Sequence, residues 1–110
     1  MNDLEFIQDC LSRYNDSLFK TDISNDMIKM KEMLLKIKDN GKKVIIAGNG
    51  GSAAIASHVS VDFTKQGGVR TINFNEPDLI TCFANDYGYE KWVKEAIRFY
   101  GDSGDLLVLI

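Results

Sequence analysis

With 110 residues, 45% of them hydrophobic and 26% charged, the chain has the composition of one small globular domain, which argues against wholesale disorder. Its net charge of −3 gives no basic face for nucleic-acid binding, and no apolar run approaches the roughly 20 residues that span a bilayer. Cys10 and Cys82 lack CxxC spacing, so buried free thiols and a reducing, cytoplasmic compartment are expected. The acidic start MNDLEFIQDC reads as neither a signal nor a transit peptide.

Apolar residues at Leu4, Ile7, Leu11, Tyr14 and Leu18 alternate steps of three and four, the seam of an amphipathic helix. Ile23, Met27, Met30, Leu34 and Ile37 repeat the pattern in a second helix, which Asn40-Gly41 should end. Both stripes read as packing surfaces rather than cofactor contacts. Two such stripes exceed what a small sheet can cover, so a partner subunit is expected.

Lys42 and Lys43 lead into VIIAG, a continuous apolar run typical of a buried parallel strand. A helix is expected from Ser52 to about Lys65. VRTINF follows Gly67-Gly68 as a second strand, and EPDLITCFAND predicts a short helix with Pro77 in its first turn. YEKWVKEAIRFYG predicts another helix, with Trp92, Ile97 and Phe99 for packing and Gly101 as its stop. GDLLVLI reads as a third buried strand. Strands alternating with helices specify an α/β fold with a parallel sheet flanked by helices. One domain over residues 1–110 is expected, with a helical extension at 1–40 and the sheet portion at 41–110. Ligands of such sheets bind beyond the carboxyl ends of the strands, and the chain stops where its third strand would deliver a loop. A longer parent protein, of which this is the N-terminal portion, is therefore expected.

The segment GNGGSAAIASHVSVDFTK carries the chemistry. It is not a P-loop, since no lysine follows Gly51-Ser52. Gly48, Gly50 and Ala53 do satisfy the dinucleotide pattern G-x-G-x-x-A, but the acidic residue expected about 20 positions later is poorly supplied. A glycine turn with no ligand is also open. An anion site uses more of the residues. Gly50 and Gly51 admit a ligand to the backbone, Ser52 can cap the helix or bind an oxygen-rich ligand, and free N–H groups at the helix start favour negative charge. His58 and Asp62, four apart, share a helical face and are expected to face a cleft, as joint metal ligands or an acid/base pair. A plain surface contact is the simpler alternative for that pair.

GNGGSAAIASHVSVDFTK together with CFANDYGYEKWV closely resembles the phosphoheptose isomerase branch of the sugar isomerase (SIS) domain family, over essentially the whole chain. The resemblance implies a SIS-type fold in cytoplasmic homotetramers that convert sedoheptulose 7-phosphate to D-glycero-D-manno-heptose 7-phosphate, often with bound zinc. It implies that Asn49, Gly50 and Gly51 touch the sugar phosphate, with Ser52 on the phosphate side, and that Asn85 and Asp86 contact substrate hydroxyls. His58 would be a zinc ligand. Asp62 would be ligand and proton-transfer base together, in a place where the family usually has glutamate. That departure shortens the reach by about 1.5 Å, on a scale where ~1 Å can cost ~100-fold in rate. The resemblance also implies a serine-rich phosphate loop, a glutamine and a histidine beyond Ile110. The alternative is a non-catalytic SIS module that binds a sugar phosphate or a protein partner as regulator or scaffold.

Overall fold

The computed structural model describes residues 1–110, which divide into two compact units, Met1–Lys31 and Glu32–Ile110. In the first unit, helix α1 spans Asp3–Phe19. Asn2 and Glu5 form a reciprocal cap: the Glu5 N–H donates to Asn2 Oδ1 at 2.9 Å and the Asn2 N–H to Glu5 Oε2 at 2.8 Å, which satisfies donors that a helix start leaves free. Asp9–Arg13 and Asp16–Lys20 pair at i,i+4 along its surface. No residue of α1 is buried. Its apolar seam at Leu4, Ile7, Leu11, Tyr14 and Leu18 is exposed throughout. Helix α2 (Ser24–Asp39) starts in the first unit, and its residues from Glu32 onward belong to the second. As the sequence predicts, it ends at Asn40-Gly41. Gly41 adopts φ 65°, and the N–H groups of Gly41 and Lys42 return to the carbonyls of Lys38 and Ile37, which closes the last turn.

The second unit is built on strands β1 (Val44–Ala47), β2 (Thr71–Asn73) and β3 (Leu106–Leu109). All pairings are parallel, in the order β2-β1-β3. Helix α3 (Gly51–Lys65) joins β1 to β2; α4 (Pro77–Tyr87), a 3₁₀ turn at Tyr89–Lys91 and α5 (Trp92–Tyr100) join β2 to β3. Side chains alternate across the central strand. Val44 and Ile46 pack with Ala56 and Val59 of α3 and with Leu34 and Ile37 of α2. Ile45 packs on the other face with Phe74, Trp92 and Ala96. Every residue of β1 is therefore buried, and each such valine or isoleucine contributes about 1.5–3 kcal/mol. Ala56 and Ala96 lie at the two helix–sheet contacts without any exposure; a larger side chain there would push a helix off the strand.

Two sequence expectations need correction. The third strand is not fully buried. Leu106 and Val108 join the core, whereas Leu107 and Leu109 are exposed, because β3 pairs on one side only and the helices of the second face pack over β1 and β2. The cysteines are free, as expected, but Cys10 is half-buried and Cys82 exposed. Helix α4 turns Leu79, Ile80 and Phe83 to the core and so leaves Cys82 facing outward.

Candidate functional site

Strand β1 delivers the chain into Gly48-Asn49-Gly50-Gly51. A Cβ at Gly48 would lie 2.6 Å from the backbone carbon of Ser52, so only glycine lets α3 begin this close to the strand end. Gly50 precedes α3 with φ 56° and ψ −120° and makes no side-chain cap. Nothing lies within 4 Å of a Cβ placed at Gly50 or Gly51, which leaves the backbone of both open to a ligand. Of the two roles open to Ser52, capping is not the one found: α3 starts one residue earlier, at Gly51, and Ser52 sits half-buried in its first turn. The first-turn N–H groups still favour an anion.

Topology gives this loop its importance. The connection through α3 leaves β1 over one face of the sheet, and the connection to β3 returns over the other. The carboxyl ends of β1 and β3 therefore border the point where the strand order reverses, the place where α/β sheets open a ligand crevice. A cavity of 230 Å³ lies there, lined by Gly48, Asn49, Tyr89, Trp92, Leu109 and Ile110 among others. The Tyr89 hydroxyl donates to Asn49 Oδ1 at 2.8 Å and ties the glycine loop to the turn after α4.

His58 and Asp62 occupy one face of α3, with Nε2 and Oδ2 3.3 Å apart. The shared face agrees with the sequence reading; the expected cleft does not. His58 is 80% exposed and Asp62 45%, on the open surface of the helix, because the opposite side of α3 carries Ala56, Val59 and Phe63 into the core. Two donors do not close a zinc site, whose catalytic form takes three protein ligands, and no group of three His, Cys, Asp or Glu side chains in the chain could hold a metal. Zinc does not fit these residues alone.

Asn85 and Asp86 lie in the last turn of α4, both exposed. Asn85 Nδ2 donates to Asp86 Oδ1 at 3.1 Å, and Asp86 Oδ2 accepts from Cys82 Sγ at 3.7 Å. The neighbouring Asp86 carboxylate, chiefly, pushes the Cys82 thiol up from its ordinary value. Thus Asn49 meets Tyr89, His58 meets Asp62 and Asn85 meets Asp86, but no hydrogen bond joins the three sets. Sequence reasoning missed Tyr89, though it stands in the quoted NDYGYE. It also missed Asn75, whose Nδ2 donates to the Ala53 carbonyl at 2.7 Å and to Ser57 Oγ at 2.6 Å. Asn75 fastens the first turns of α3 to the end of β2. An asparagine just after a strand was its only signal.

A glycine loop at a switch-point crevice, followed by a helix bearing an imidazole and a carboxylate, defines an α/β domain suited to an oxygen-rich anion. No family model matches the chain. Its sequence is similar to phosphoheptose isomerases: that of Fusobacterium nucleatum is 38% identical over 85 residues, covering 73% of this chain and 44% of that protein. That of Thermodesulfovibrio yellowstonii is 33% identical over 103 residues, covering 87% and 50%. The chain spans about half the length of these curated relatives. The fold matches a solved phosphoheptose isomerase of Francisella tularensis with a TM-score of 0.89 at 21% identity, over 99% of this chain and 60% of that one. The Neisseria gonorrhoeae enzyme superposes with a TM-score of 0.76 at 24% identity, over 96% and 56%. The resemblance read from the motifs is borne out, and so is the α/β fold with its parallel sheet. No helix is long and apolar enough to cross a membrane.

Proposed function

We propose that this chain is the substrate-binding and proton-abstracting portion of a sugar-phosphate isomerase that converts sedoheptulose 7-phosphate to D-glycero-D-manno-heptose 7-phosphate. The 38% identity to a phosphoheptose isomerase carries the reading; the open glycine loop at the switch-point crevice supports it. Asn49, Gly50, Gly51 and Ser52 bind the sugar phosphate through donors at the start of α3, and Asn85 and Asp86 hydrogen-bond its hydroxyls. Asp62 takes the proton from the carbon beside the substrate carbonyl. The electron pair left behind forms the carbon–carbon double bond of an enediol as the carbonyl oxygen is protonated. A second group then delivers a proton to the neighbouring carbon while the hydroxyl on the first carbon gives up its proton and becomes the new carbonyl. His58, one helical turn from Asp62, holds the carboxylate in place. As a zinc site, His58 and Asp62 would need further donors from outside these 110 residues, and no step above depends on the metal.

Turnover of sedoheptulose 7-phosphate by the natural protein tests the reading, with Asp62→Asn as the decisive variant. The 110 residues alone are expected to bind without turning over; binding without turnover by the natural protein would instead make it a sugar-phosphate-binding module. The protein is read as cytoplasmic, where free cysteines persist, and as a homo-oligomer, a tetramer by resemblance. The exposed seam of α1, more than half exposed at each of Leu4, Ile7, Leu11, Tyr14 and Leu18, supports self-association. Light scattering at high micromolar concentration should show a multimer that Leu11→Lys disperses, and a strictly monomeric wild type would remove this part of the proposal.

A further inference from the structure

We infer that Tyr89 is a positioning residue that holds the Asn49 side chain at the edge of the crevice, with the amide nitrogen left free for an oxygen acceptor; this rests on the sugar-phosphate reading of the same site. A primary amide has one accepting and one donating end, and rotation by half a turn exchanges them. At the mouth of a ligand crevice that choice decides what binds. The Tyr89 hydroxyl reaches Asn49 Oδ1 at 2.8 Å, within the normal range for an O–H donor, and both residues line the cavity at the carboxyl ends of β1 and β3. With Oδ1 engaged, the free end of the amide is Nδ2, which can only donate. Its neighbours Gly50 and Gly51 are open backbone at a helix start, where the available groups are also donors. The Asn49 amide and the open glycine backbone beside it thus offer donors at one edge of a crevice otherwise walled by Trp92, Val93, Leu109 and Ile110. That edge is matched to a phosphoryl, carbonyl or hydroxyl oxygen and mismatched to an ammonium group. A tyrosine fits this role because Gly88, with φ 93°, ends α4 and turns the chain back 40 residues along the sequence to meet Asn49.

Tyr89→Phe tests the inference at little risk to the fold, since the ring is more than half exposed and only the hydroxyl is lost. In the 110-residue chain, the Asn49 side-chain amide should be more ordered in wild type than in Tyr89→Phe, its NMR order parameter falling clearly on loss of the hydroxyl. Titration with sedoheptulose 7-phosphate, followed on the Gly50, Gly51 and Ser52 amides, should show affinity weakened about three- to tenfold by Tyr89→Phe. Asn49→Asp, which keeps the acceptor for Tyr89 and replaces the donor by a charged oxygen, should weaken it more. An Asn49 amide equally ordered in Tyr89→Phe would overturn the inference, and so would a freed amide with unchanged affinity, or Asn49→Asp binding as well as wild type. Failure of the wild type to bind the sugar phosphate at all would instead sink the isomerase reading, and the order parameter would still decide the Tyr89 contact.

Discussion

At the amino-terminal ends of β1 and β3, Lys43 Nζ sits 2.7 Å from Asp102 Oδ2 and 2.5 Å from Asp105 Oδ2. Asp105 also accepts the backbone N–H groups of Lys43 and Asp102. At the carboxyl ends of the same two strands, Gly50 and Gly51 lie open and Asn49 has a single side-chain partner. One end has its polar groups satisfied by one another; the other leaves donors for a ligand. The hydrogen bonds that Lys43 donates to Asp102, and then to Asp105, raise its ammonium above the ordinary value. Burial pushes the Asp105 carboxyl up, but the bonds from Lys43 and the two backbone N–H groups outweigh it and hold the carboxyl below the usual range. A parallel sheet can thus be stable at its base and receptive at its rim without a change of strand.

Variants at the two ends should separate these properties. The largest effect is expected at the proposed proton acceptor, Asp62, in the last turn of α3. In the natural protein, Asp62→Asn should lower turnover of sedoheptulose 7-phosphate by about 100- to 10,000-fold, while thermal unfolding shifts by no more than a surface substitution does, about 0.5 kcal/mol. Turnover that survives would show that another group is the base.

At the base, Asp105→Ala should lower the unfolding free energy by about 2–4 kcal/mol, since it leaves Lys43 short of a partner and strips two backbone donors. Sugar-phosphate binding should be unchanged. Because the folded-state pKa of Asp105 is depressed, its contribution is present above the unfolded value of about 3.9 and is lost as pH falls through the folded one. The raised Lys43 contributes below about 10.4, and that part is lost as pH rises through its folded value. Denaturant titrations should therefore show a constant gap between wild type and Asp105→Ala from about pH 5 to 10, narrowing in acid. A gap that widens in acid would disprove the ion-pair account. The smallest effect belongs to Gly50→Ala. A Cβ there meets open space, so the cost is the strained backbone alone, φ 56° with ψ −120°, about 1–3 kcal/mol. Weaker phosphate binding should accompany it if the loop shifts.

The elements closest in sequence were the most legible. Val44–Ala47 has an unbroken apolar run, Gly48–Gly51 can only turn, and the residues after it carry a helix period with His58 and Asp62 one turn apart. Each signal is local, and each places its residues where they are found. What depended on distant neighbours was hidden. Whether Leu107 and Leu109 are covered is decided by which strands flank β3, and whether His58 faces a cleft by which side of α3 the sheet takes. Ser52 failed as a cap because the close approach at Gly48 starts the helix at Gly51. Tyr89 reaches Asn49 across 40 residues, a meeting no spacing rule could propose.

The Lys43–Asp105 contact also bears on how the sheet assembles. It spans 62 residues, against 29 for the Arg70–Gly41 contact beside β2. Roughly doubling a loop adds only about 0.6 kcal/mol of closure entropy, less than the ion pair contributes. Strand β3 is therefore the last to gain from chain connectivity and the one most dependent on electrostatics for its docking. In acid, its amides should exchange with solvent before those of β1 and β2, so that the sheet unravels from the β3 edge while the β1–α3–β2 crossover stays closed.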